Sequence, residues 1–174
     1  SAERAGAPSR VDLVVRNRSR RRTPVLRLED SVTGTRGAHL LRASARGDTI
    51  DALAELRGGW DGAAWTGTIA TLRNKGRYAF ALQSPAALRL GTAGGIAALL
   101  NPDSVQLANA VFALPAGSIH VQSLEKSAAR WRSTGSATGV PLTYIAQFSD
   151  AIRENMSGAL ALGASWSVDI QATA

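Results

Sequence analysis

Alternation with a period of two dominates the chain. Over residues 158–170, Leu160, Leu162, Ala164, Trp166, Val168 and Ile170 alternate with Ala161, Gly163, Ser165, Ser167 and Asp169. One face of such a segment is apolar and the other small or polar, which predicts a half-buried antiparallel strand. Leu142, Tyr144, Ala146 and Phe148 repeat the pattern, as do Tyr78, Phe80 and Leu82. Shorter versions are Val11, Leu13, Val15; Leu26, Leu28; Trp65, Gly67, Ile69; Leu88, Leu90; Phe112, Leu114; and Ile119, Val121. These make about eight to ten strand candidates at the close spacing of a sandwich or barrel.

Turn chemistry separates the candidates. Asn74-Lys75-Gly76 and Pro115-Ala116-Gly117 read as hairpin connections. Residues 135–139 (GSATG) read as a loop before a strand at Val140, and residues 155–158 as the link between the last two strands. Helix signals are short. Asp48 is placed to cap a helix over residues 49–57 with Gly58 as its stop, and weaker candidates cover residues 104–110, 123–131 and 96–100. The predicted fold is an all-β antiparallel β-sandwich, jelly-roll-like, with one to three short helices in its connections. Turns too short for crossover helices argue against a βαβ order.

A length of 174 residues with 45% hydrophobic and 19% charged residues suits a single domain, residues 1–174, with a real core. Residues 1–10 lack the apolar core of a signal peptide and are expected to form a flexible lead-in. Gly, Asn, Asp or Arg interrupts every apolar run well short of the roughly 18 residues of a membrane-spanning helix. The chain has no cysteine, which excludes disulfides, thiolate metal sites and cysteine nucleophiles. Aromatics are only 5%, so Leu, Ile, Val and Ala must fill most of the core, with Trp60, Trp65, Trp131 and Trp166 as its largest pieces.

The catalytic inventory is thin. His39 and His120 are the only histidines, and His120 sits between Ile119 and Val121, facing away from them in a strand. There is no HExxH and no GxSxG. Asp48, Asp51 and Glu55 would share a helix face, which solvation explains, and no calcium-loop spacing occurs. Residues 91–95 (GTAGG) lack both the GxGxxG spacing and the Lys-Ser/Thr ending of a phosphate loop, and read as a turn. No catalytic residue, metal ligand or cofactor is expected.

Charge is local. The net charge of +7 is carried almost wholly by arginine, and Arg10, Arg16, Arg18, Arg20, Arg21, Arg22 and Arg27 crowd one stretch opposed only by Asp12. Guanidinium groups so close repel one another unless an anion neutralises them. Arg16, Arg18, Arg20, Arg21 and Arg22, on a connection between two strands, are therefore the candidate nucleic-acid-binding residues, making phosphate contacts without sequence preference. No aromatic platform accompanies them, which disfavours base stacking.

The basic segment 16–22, the run of strands, the segment Trp65-Thr66-Gly67-Thr68-Ile69, the 135–139 loop and the long last strand together resemble small viral jelly-roll coat proteins. Such proteins carry their basic arm before the first strand, whereas here residues 11–15 already read as one. Residues 11–30 (VDLVVRNRSRRRTPVLRLED) resemble the opening strands of immunoglobulin-like modules of bacterial envelope proteins, and WTGTI, GRYAFAL and FALPAG resemble PA14-like carbohydrate-binding sandwiches, without their acidic calcium pair. The coat resemblance implies a non-enzymatic, self-assembling capsid protein of a virion, a homo-oligomer whose arginine patch faces packaged RNA or other nucleic acid. The alternative is an immunoglobulin-like or carbohydrate-binding module of a bacterial envelope or secreted protein.

Overall fold

The computed structural model of the chain describes residues 9–15, 26–92, 102–148 and 160–171. Eleven strands form one sheet: β1 (Ser9–Val15), β2 (Leu26–Gly34), β3 (His39–Arg46), β4 (Asp51–Trp60), β5 (Ala64–Asn74), β6 (Phe80–Leu82), β7 (Ala86–Gly91), β8 (Ser104–Ala113), β9 (Ser118–Lys126), β10 (Arg130–Pro141) and β11 (Ala161–Gln171). A four-residue helix α1 (Leu142–Ile145) and a 3-10 turn (Ala146–Phe148) follow β10. The all-β antiparallel fold is the one the alternation predicts. In β7 the logic is plainest: Ala86, Leu88 and Leu90 are buried while Ala87 and Arg89 are exposed.

The strands pair in chain order, each antiparallel to its sequence neighbours, except that β6 and β7 do not pair with each other. This meander contains no crossing connection of the jelly-roll kind among the described strands. One position is shared: β6 pairs with Arg73 and Asn74 of β5, β7 pairs with residues 64–69 of β5, and both lie against β8. The break between β6 and β7 ends at Pro85, whose ring nitrogen has no hydrogen to donate to a ladder.

Two expected hairpin turns are present. Leu114 N–H donates to Gly117 C=O at 3.1 Å, and Gly117 takes the left-handed φ of 79° that glycine adopts freely. The buried Asn74 side chain accepts from the N–H groups of Asp51 and Gly76 at 3.1 and 3.0 Å and donates to Tyr78 C=O at 2.9 Å. One amide thus closes the β5–β6 turn and ties it to β4.

The expected helices are not formed where the sequence suggested them. Residues 49–57 lie mostly in β4, residues 104–110 in β8, and residues 123–131 across the β9–β10 hairpin; the 96–100 candidate lies outside the described residues. The helix formers in Asp51-Ala52-Leu53-Ala54-Glu55-Leu56-Arg57 lose to pairing on both sides, with β3 and with β5. Residues 135–139, read as a loop, instead lie inside β10, where the register with β11 shifts between Ala137 and Val140. Conversely, residues 142–148, read as a strand, turn helical. The β10–β11 ladder ends at the Pro141–Ala161 pair, so no neighbour remains to hold an extended chain. Tyr144 O–H donates to Ala79 C=O at 3.0 Å and Tyr78 O–H to Gln147 C=O at 3.4 Å, fastening this turn to the segment before β6.

The core lies on one side of the sheet. Trp65, Ile69, Leu88 and Leu90 are buried there, flanked by Leu41, Leu56, Trp60, Leu72, Leu82, Val105 and Leu107. Trp65, fully enclosed, lies over two glycines that face each other across β4 and β5, Gly58 and Gly67. A Cβ at Gly58 would sit 2.7 Å from the indole and 2.4 Å from the Thr66 carbonyl oxygen; one at Gly67 would meet the indole at 2.8 Å. Large and absent side chains are therefore complementary.

Trp65→Ala is expected to lower the unfolding free energy in urea by about 3–5 kcal/mol. Gly58→Ala should cost about 1–3 kcal/mol through overpacking. Gly37→Ala, whose Cβ would have nothing within 4 Å, should be neutral in the same measurement.

Candidate assembly surface

Residues directly opposite each other in paired strands project to the same side, so the registers sort the side chains of β7–β11 into two faces. On the polar face one row crosses five strands: Arg89, Gln106, Glu125, Arg132 and Asp169 stand opposite one another in turn. Arg89 extends the row to β5 by donating to Thr66 Oγ1 at 3.1 Å and pairs with Asp61 at 3.1 Å. At the far end Asp169 accepts from Arg130 Nε at 2.7 Å, from Arg130 Nη2, and from Arg132 Nη2 at 3.3 Å. The Arg130 hydrogen bonds, then those of Arg132, hold its carboxyl down at about 2 against an ordinary 3.8.

The other face continues the apolar side of the core outward. Leu107, Leu124, Ser133 and Val168 form one row across β8–β11, and Ala110, Val121, Gly135 and Trp166 another. Burial declines along it. Leu88 and Leu90 are 9% exposed, whereas Trp131 is 51%, Leu162 38%, Val168 37% and Ile170 56% exposed. Leu160, just before β11, is 60% exposed. The sequence reading placed these residues in a buried core, and for Trp131 that expectation is corrected outright. They sit on or next to the last two strands of the meander.

Trp166 repeats the solution found at Trp65. Its ring lies over Gly135, directly opposite on β10, where a Cβ would come within 2.3 Å of it, and its N–H donates to Ser133 Oγ at 3.0 Å. The surface near the sheet's end thus has a pinned, half-buried indole set among freely exposed aliphatic side chains.

The titratable groups are tied into the scaffold. His39 is buried; its Nε2 accepts from Trp65 Nε1–H at 2.8 Å and its Nδ1–H donates to Thr35 C=O at 3.0 Å, bonds that assign the neutral tautomer. Both ring nitrogens are occupied, so this histidine positions Trp65. His120 is half-buried between Val111 and Ser136 in the ladder, on the side away from Ile119 and Val121, as alternation predicts. Glu55 accepts from Arg42 Nε at 2.7 Å and Thr71 Oγ1 at 3.1 Å, which lowers its carboxyl pKa, and Asp51 lies opposite and 3.9 Å from Arg46. Asp61 accepts backbone N–H bonds from Ala64 and Ala63, which lower its pKa. Among the described residues no group of three or more His, Asp or Glu is placed to hold a metal ion.

The five arginines proposed for nucleic acid, Arg16, Arg18, Arg20, Arg21 and Arg22, lie outside the described residues. The strands flanking them are those the sequence predicts: β1 and β2 pair antiparallel with Val15 opposite Leu26, so residues 16–25 connect the two. What sequence reasoning missed is the exposed apolar face. Its signal was present in the alternation of residues 158–170, but alternation marks an apolar side without telling whether anything covers it.

Two measurements test this description. His39→Phe leaves the buried Trp65 N–H without an acceptor and should destabilise the chain by about 1–3 kcal/mol in urea, with His39→Gln less damaging. Because the Asp169 pKa is depressed in the fold, its contribution is complete above the ordinary value of 3.8 and is lost as pH falls toward about 2. Stability of the native chain should therefore fall more steeply over that interval than stability of Asp169→Asn, read from urea midpoints at successive pH values.

No protein-family model, curated protein or solved structure matches this chain.

Proposed function

We propose that the protein is a non-enzymatic structural subunit that works by assembling with other subunits through its sheet. The observation that carries this reading is the exposed apolar face of β10 and β11, where Trp131, Leu162, Val168 and Ile170 are each more than a third exposed. Contiguous apolar surface of this kind, bordered here by Lys126 opposite Trp131, is characteristic of protein–protein contact sites. The engagement of His39, Glu55, Asp61 and Asp169 in structural bonds supports a binding rather than a chemical role.

In the coat form of this reading, many copies close into a shell and Arg16, Arg18, Arg20, Arg21 and Arg22 neutralise the phosphates of packaged nucleic acid. In the second form, the chain is a module of a bacterial envelope or secreted assembly. The strands pair along the sheet in chain order, without the crossing connections of a jelly roll or of an immunoglobulin-like sandwich, so this order favours neither form. The arginine cluster remains the support for the first.

Sedimentation velocity with the ratio of absorbance at 260 and 280 nm separates them. Small protein-only oligomers are expected for an envelope module. Large closed particles with bound nucleic acid, released by salt and lost when the five arginines are replaced by serine, would establish the coat form instead. A strict monomer at high concentration would overturn self-assembly.

A further inference from the structure

β11 is an open edge. Among the described residues it pairs only with β10, so one whole row of its backbone N–H and C=O groups is directed away from the sheet. Natural edges are guarded by Pro, Lys, bulges or short length. β11 has eleven residues, no Pro and no Lys, and its one charge, Asp169, is already neutralised by Arg130 and Arg132. It is long, apolar on one side and unguarded.

Resting on the assembly reading, we propose that this edge pairs antiparallel with the β11 edge of a second copy of the chain, joining two sheets across a two-fold axis at Trp166. The argument is self-complementarity. The antiparallel register that engages all eleven residues sets Ala161 against Gln171, Leu162 against Ile170, Gly163 against Asp169, Ala164 against Val168 and Ser165 against Ser167, with Trp166 on the axis. Every residue of the apolar row, Leu162, Ala164, Trp166, Val168 and Ile170, meets another of that row on the same side of the joined sheet, and Asp169 meets glycine, so no like charges face each other. The exposed faces of the two copies then run into one apolar surface across the axis, and the interface is isologous and closed. A slip of one residue would set each apolar row beside the other copy's polar row.

The chain's lack of cysteine allows a direct test. In a Ser165→Cys, Ser167→Cys chain, each introduced thiol lies opposite the other kind in the second copy. Mild oxidation should yield a covalent dimer on denaturing gels far faster than in a Gln122→Cys chain, whose thiol on β9 is remote from the edge. Leu162→Lys with Val168→Lys, at positions already exposed, should keep the strand signal in circular dichroism and weaken association at least about 100-fold in sedimentation equilibrium by gathering four ammonium groups at the joint. Cross-linking no faster than the control, in a chain that still associates, would overturn the β11 pairing while leaving the assembly reading intact. Association undiminished in the folded lysine variant would overturn the β11 pairing and, with it, this apolar face as the contact surface. A monomeric native chain would overturn both the pairing and the assembly reading.

Discussion

Backbone hydrogen bonding between strands adjacent in sequence is the constraint from which the rest of this structure follows. Each strand from β2 to β10 pairs with neighbouring strands along both of its edges, most of them a hairpin turn away. Such pairing closes short loops, which keeps the entropic cost of each contact low. It also aligns side chains by register, so one apolar side runs from the core at β5 and β7 out to β11. Among the described residues, the same rule leaves two strands, β1 and β11, with one neighbour each. The core and the exposed edge are two consequences of one ladder.

Where the sheet must enclose its largest side chains, it does so by removing others. Trp65 rests on Gly58 and Gly67, and Trp166 on Gly135, each with its indole N–H bonded to a side chain on a paired or next-but-one strand, His39 or Ser133. An indole buried without that partner would carry a desolvated donor. Trp65 sits mid-sheet and is wholly enclosed; Trp166 sits on the last strand and is only half-buried. The same device thus produces core in one place and surface in the other.

On the opposite side, charge is arranged in cross-strand rows. Arg42 faces Glu55, Arg46 faces Asp51, and Arg132 faces both Glu125 and Asp169. Exposed pairs of this sort contribute little stability individually. Their effect is on register and solubility, since a one-residue slip in any of these strands would expose apolar residues on the charged side and bury arginines on the other. The sheet therefore has one charged side and one apolar side.

Local patterns along the chain were enough to read the all-β fold class and several turns. Alternation at residues 11–15, 65–69, 88–90, 112–114 and 160–170 is a local property, and so is the turn chemistry of Asn74-Lys75-Gly76 and Pro115-Ala116-Gly117. It could not place the strand in Asp51-Ala52-Leu53-Ala54-Glu55-Leu56-Arg57, where intrinsic preference points to helix and two flanking strands override it, nor the helical turn after Pro141, where the ladder runs out of partners. The role of His39 as a brace for Trp65, 26 residues along the chain, belongs to tertiary structure alone. So does the difference between Leu88 and Ile170. Both are apolar residues in alternating strands, and only the packing of segments distant in sequence decides that one is enclosed and the other left exposed.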